Sequence, residues 1–178
     1  MTPPDRKKQI LREVLIFFCG LISGAALLVI AAGAYLRGTG GVIQEYEADM
    51  TFEAAEKIFP DTAAALPGGW SVGRENCMIS QLPDGSKLAV YKLCQSAYAA
   101  QMMADPGQRR IAAVLPCSFA LYEVPGGKVP GGKVRLARLN RAWLGWLLGG
   151  SPRELFNGVI ADEQHKLLES CGFMQVDD

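Results

Sequence analysis

The hydrophobic pattern divides into one unbroken block and a series of short periodic segments. Residues 14 to 36, VLIFFCGLISGAALLVIAAGAYL, run for 23 positions without a charge. A bilayer's hydrocarbon core is about 30 Å thick and a helix rises about 1.5 Å per residue, so roughly 20 apolar residues cross it. The block predicts a transmembrane helix. Beyond it the pattern is that of a globular domain. Val42 to Ala48 reads as a strand. Thr51 is the N-cap of a helix with Phe52, Ala55 and Phe59 on one face; Pro60-Asp61 interrupts or restarts it and Pro67-Gly68-Gly69 ends it. Trp70 to Leu82 reads as a strand turned by Pro83-Asp84-Gly85-Ser86, with Leu88 to Cys94 as the next strand. A short helix, Ser96 to Ala104, stops at Asp105-Pro106-Gly107, and Ile111 to Val124 holds an apolar strand around Pro116. The last helix opens on Ser151-Pro152-Arg153-Glu154, a capping box with proline at the first helical position. Its apolar stripe is Leu155, Phe156, Val159, Ile160 and Leu167, with His165 on the polar face.

This pattern organises the chain into a tail over 1–13, a transmembrane helix over 14–36, a GTGG-containing linker over 37–41, a domain over 42–172 and a C-terminal tail over 173–178. Arg6, Lys7, Lys8 and Arg12 precede the span, against Asp5 and Glu13, and only Arg37 closely follows it. By the positive-inside rule the tail is cytoplasmic and the domain lies across the membrane, in a bacterial periplasm. The apolar block exceeds the usual signal-peptide core and reads as an uncleaved anchor, although Ala32-Gly33-Ala34 supplies the small residues of a cleavage site. Phe17-Phe18 before Cys19 is too bulky for a lipoprotein signal. Gly20 and Gly24 form a G-x-x-x-G pair through which a second helix can pack closely. PGGKV occurs twice in tandem, at 125–129 and 130–134. Five extra residues inside a strand would reverse its faces, so the duplication belongs in a loop.

Charge narrows the function classes. The chain holds 18 basic and 18 acidic residues, and residues 37–178 hold 14 and 16. That slightly acidic balance excludes nucleic acid as a general partner. One histidine and no H-E-x-x-H, G-x-S-x-G or dinucleotide fingerprint leave no recognisable catalytic constellation. Asp162-Glu163 reads as surface charge. The five cysteines, Cys19, Cys77, Cys94, Cys117 and Cys171, include no C-x-x-C pair. No metal and no cofactor is expected.

Val90-Tyr91-Lys92-Leu93-Cys94, Tyr98-Ala99, Asp105-Pro106, Val114-Leu115-Pro116-Cys117 and Leu121-Tyr122-Glu123 together resemble the core of domain-of-unknown-function family 302. Leu139-Asn140-Arg141, Gly145, Gly149-Gly150 and Asp162-Glu163 are similar to the C-terminal part of its bacterial members. The resemblance covers roughly residues 42 to 170. It implies an α+β domain, an antiparallel sheet covered by helices, often paired as a homodimer, and no settled activity. Gln95 departs from it, standing where many members have Asn followed by Pro.

Two sets of residues are candidates for function. Cys94 and Cys117 end one strand and begin another, and a thiol pair there would cycle to a disulfide or carry a persulfide; a helix starting at Ser96 would lower the thiolate's pKa. The alternative is two small buried residues or a static disulfide. Lys128 to Arg153 holds six basic residues and no acidic one. Within it Arg138, Arg141, Trp143 and Trp146 compose a surface for a bilayer or an integral membrane partner, unless the aromatic groups fill the domain's own core. The resulting expectation is a non-enzymatic, single-pass inner-membrane protein acting as an accessory subunit or assembly factor of a larger membrane complex. The alternatives are a thiol redox or sulfur-carrier protein, and a module binding a small hydrophobic or haem-like ligand.

Overall fold

The computed structural model describes residues 6–38, 41–75, 81–125 and 132–176. Cys77, Lys128, most of the first PGGKV copy and positions 39–40 of the linker lie outside the described residues. The chain divides into two units, 1–39 and 40–178. The described residues of the first form one helix, α1 (Arg6–Gly38). Its Ile10–Tyr35 stretch, with mean hydropathy 2.7 and no part buried, is long and apolar enough to cross a membrane. Those 26 residues extend about 39 Å at the α-helical rise.

The second unit is α+β, as expected. Among the described residues six strands form one antiparallel sheet: β1 (Ile43–Ala48), β2 (Ser71–Arg74), β3 (Leu88–Cys94), β4 (Cys117–Glu123), β5 (Val134–Leu139) and β6 (Met174–Gln175), in the order β2-β3-β4-β5-β1-β6. One face is apolar. Tyr46, Ala48, Tyr91, Leu93, Phe119, Leu121, Val134 and Leu136 point from it into the core. Helix α2 (Phe52–Ala64) supplies Phe52, Ala55, Phe59 and Ala63 to that core. Thr51 caps it, its hydroxyl accepting from Ala54 N at 3.2 Å. Pro60 does not interrupt α2. A proline removes the N–H that would reach the carbonyl four residues back, and here that carbonyl, on Glu56, accepts from the Tyr91 hydroxyl at 3.1 Å instead.

Four further expectations are corrected. The strand expected over 70–82 is confined to β2, an edge strand; beyond it Gln81 forms only an isolated bridge to Lys87. The apolar run from Ile111 is not all strand. Pro106–Val114 is a 3₁₀ helix capped by Asp105 and anchored by buried Ile111, and β4 starts only after the cis Leu115–Pro116 bond, because Pro116 has no N–H to give a ladder. The last helix is two helices, α5 (Gly150–Asn157) and α6 (Val159–Ser170), parted at Gly158. The capping box does not form: Gly149 and Gly150, at φ 65° and 56°, reverse the chain directly after α4 (Arg141–Leu148) and start α5 upstream of Ser151. The C-terminal tail is partly domain, since Phe173 is buried and Met174–Gln175 pairs with β1. Helix α3 (Ser96–Met102) forms as expected.

Candidate functional site

The polar groups that draw attention lie where β5 runs into α4. Arg138 is next to last in β5, and the register sets it between Gln44 of β1 and Phe119 of β4. It therefore points from the sheet face that the helices cover. Its guanidinium lies 4.8 Å from the Tyr46 ring centroid, donates to the Tyr46 hydroxyl and to Gln44 Oε1 (3.2 Å), and reaches Gln164 Oε1 at 3.5 Å. Asn140 then caps α4, its side-chain oxygen accepting from Ala142 N at 3.0 Å while its amide donates to Gly41 O at 2.7 Å. That turn carries the next residue, Arg141, inward. Arg141 is 6% exposed, donates to Ile160 O at 3.3 Å and lies over the Phe119 ring at 6.0 Å. Gln164 of α6 completes the group with no exposure.

These side chains border a partly open cavity of about 420 Å³. It runs over the end of strands β3 to β5. Val90, Lys92, Ala120 and Leu139 reach it from the sheet's open face, and Val114, Leu115 and Pro116 wall one side. Arg138, Arg141 and Gln164 line it from the helix-covered side, with Cys117 and Leu144. A second cavity of about 300 Å³ lies against Arg138 and Arg141, with Asn140, Phe156 and Asn157 in its wall. Neither is bordered by a carboxylate among the described residues.

The electrostatics are unusual for an interior. Arg138 and Arg141 have no carboxylate partner among the described residues; their acceptors are neutral oxygens. Arg138 Nε, Arg141 Nη2 and Gln164 Nε2 are buried donors with no hydrogen-bond partner among the described residues. Burial pulls the Arg138 pKa down, opposed by the Tyr46 hydroxyl and Cys117, yet a guanidinium keeps its proton at neutral pH. Arg135, on the open face, is paired by contrast, meeting Glu47 at 3.1 Å and Glu45 at 3.3 Å.

The residues singled out from sequence separate in space. Arg138 and Arg141 turn inward and do not join Trp143 and Trp146 in one exposed patch, because the sheet face and the Asn140 cap direct them to the core. Trp143 packs against that core, whereas Trp146 and Leu147 are 59% and 56% exposed. Gly20 and Gly24 lie on α1 with nothing within 4 Å of where a Cβ would stand. Cys94 and Cys117 are both free thiols. The β3–β4 register sets Leu93, not Cys94, opposite Cys117. Burial pushes the Cys117 thiol up to about 11, against the nearby Gln164 amide and the Arg138 charge, with Cys94 adding to the rise. The amide contact with sulfur lacks hydrogen-bond geometry, so Gln164 Nε2 remains a free donor. A nucleophilic thiolate needs the opposite shift. The start of α3 is occupied too: Gln95 Oε1 accepts from Tyr98 N at 2.7 Å.

Sequence reasoning missed two residues. Gln164 has no motif around it, and its one signal is position, four residues beyond Ile160 on the stripe of α6. Glu163 is more than surface charge, since its carboxylate accepts from Trp70 Nε1 at 2.7 Å and from the Tyr98 hydroxyl at 2.9 Å. His165 is solvated as expected, beside Glu169 at 3.2 Å.

No family model matches the sequence, and neither does any curated protein. The fold is similar to that of the uncharacterized conserved protein DUF302 from Bacillus stearothermophilus, with a TM-score of 0.52 and 13% identity over 74% of this chain and 95% of that one. At that identity the likeness is one of fold.

Proposed function

We propose that this chain is a membrane-anchored bacterial member of family 302 whose domain binds a small, largely apolar ligand. Its N-terminus is cytoplasmic, α1 crosses the inner membrane, and the domain is periplasmic. The observation that supports the binding reading is the cavity of about 420 Å³, apolar over most of its wall with a few polar groups among its lining. Ligand sites have this construction and about this size. The rise in the Cys117 pKa favours binding over thiol chemistry.

The test is small-molecule extraction and mass spectrometry on the full-length protein, with Ala120→Trp as the control that fills the wall. A compound held near one per chain by the wild type and lost from the variant is the expected result. No stoichiometric compound in either, with no thermal shift in the presence of short-chain alcohols, overturns the reading.

A second role rests on Trp146 and Leu147, both exposed on α4. Large apolar groups exposed together mark interaction surfaces, and they favour an accessory subunit or assembly factor of a larger membrane complex. Gly20 and Gly24 would pack against a partner helix within the bilayer. Gentle detergent extraction should give a particle larger than a homodimer that Trp146→Ser dissociates. A monomer or simple homodimer from wild type refutes it.

A further inference from the structure

We infer that the ligand of the cavity is an amphiphile whose head is an anionic oxygen group, a carboxylate or a phosphate, seated against Arg138, Arg141 and Gln164. This rests on the ligand-binding reading and adds the chemistry of the head. Three observations converge on it. Arg138, Arg141 and Lys92 all border the cavity, and no acidic side chain among the described residues does. Buried charges in proteins are normally paired, because desolvating one alone costs several kcal/mol. The Tyr46 and Phe119 rings and the neutral acceptors ease that cost without cancelling the charge.

The free donors are the second observation. Arg141 and Gln164 are 6% and 0% exposed, and each holds one unpartnered donor nitrogen, as does Arg138. Arg138 donating to Gln164 Oε1 at 3.5 Å turns the other half of that amide, its N–H₂, to the free position. All three free groups are donors. A hydroxyl or carbonyl head would accept fewer hydrogen bonds and leave both charges uncompensated. An ionised carboxylate or phosphate accepts several and neutralises them.

Third, the wall is divided. Val90, Val114, Leu115, Ala120 and Leu139 line an apolar part of the wall, and Arg138, Arg141 and Gln164 line the part toward the helix-covered face, their free donors just beneath its surface. That arrangement suits a chain inserted head first. Lys92, with its ammonium 2.8 Å from Ser118 Oγ, lies on the open face where an anion would approach.

The experiment is calorimetry on the full-length chain in discs of zwitterionic lipid, with empty discs subtracted. The probes are hexanoate, hexyl phosphate and hexanol. At least one anionic probe should bind tenfold or more tightly than hexanol, and the stronger of the two identifies carboxylate or phosphate as the head. Arg138→Gln and Gln164→Leu should each weaken the anionic probe roughly 10- to 100-fold, as expected for one lost charged hydrogen bond, and leave hexanol within about twofold. Equal binding of all three probes, unchanged in both variants, overturns the anionic head while the apolar-ligand reading stands. Binding of none overturns both. Should either variant fail to fold, the wild-type preference between hexanoate and hexanol decides alone.

Discussion

Replacing Arg141 by methionine is the sharpest test of whether its charge is uncompensated. Arg141 is 6% exposed; its guanidinium makes one hydrogen bond among the described residues, to Ile160 O at 3.3 Å, and lies 6.0 Å from the Phe119 ring. That hydrogen bond contributes at most about 1.5–3 kcal/mol as a charged one. Losing it leaves no orphan, since a carbonyl near the start of α6 also accepts from the N–H four residues on. The ring contact adds about 1 kcal/mol. Against these stands the several kcal/mol of holding an unpaired guanidinium out of water. Methionine keeps the apolar stem and discards the charge, so the ligand-free variant should be as stable as wild type or up to about 2 kcal/mol more stable. At about 2–4 °C per kcal/mol that is a gain of roughly 0–8 °C in Tm. Thermal denaturation of full-length protein, followed by far-UV circular dichroism in one detergent, reads it. Arg135→Met is the comparison, because that arginine is paired at the surface and its loss should cost about 0–1 kcal/mol. A loss above about 3 kcal/mol in Arg141→Met would refute the reasoning, for Arg141 would then already be satisfied by the fold.

Three other outcomes follow from local geometry. Cys117 should resist iodoacetamide in the native protein at pH 8, read by peptide mass spectrometry; because its folded pKa lies above that of the unfolded thiol, its contribution to stability is complete at neutral pH and is lost as pH rises from the ordinary thiol range through about 11. Fast alkylation of the folded chain would contradict the raised thiol pKa. Gly158→Ala should lower stability by about 1–3 kcal/mol in a denaturant melt, since its new Cβ would stand 2.8 Å from Glu154 O; an unchanged midpoint would mean the break between α5 and α6 relaxes freely. Glu163→Gln should cost about 1–3 kcal/mol, because one amide oxygen cannot replace two carboxylate acceptors for Trp70 and Tyr98, and a cost near zero would return Glu163 to the solvated surface.

Sequence alone determined what depends on near neighbours. An apolar block the width of a bilayer declares itself by length, and α1 carries it. A short apolar run after the Pro83–Ser86 turn marked Leu88 to Cys94, and the Thr51 hydroxyl marked the start of α2, because both signals arise within a few residues. The signals that misled were local ones overridden at a distance. Pro60 lies inside α2 because Tyr91, across the sheet, satisfies the carbonyl it leaves open. Arg138 and Arg141 read as surface charge because composition is blind to direction, and only β5 and the Asn140 cap turn them inward. What the tertiary structure alone decided is the cavity itself. Its donors come from β5, α4 and α6, 26 residues apart from Arg138 to Gln164. Whether a buried N–H has an acceptor depends on everything packed around it. A pattern along the chain records which face an element buries, and only the assembled fold shows which charges it leaves unmatched.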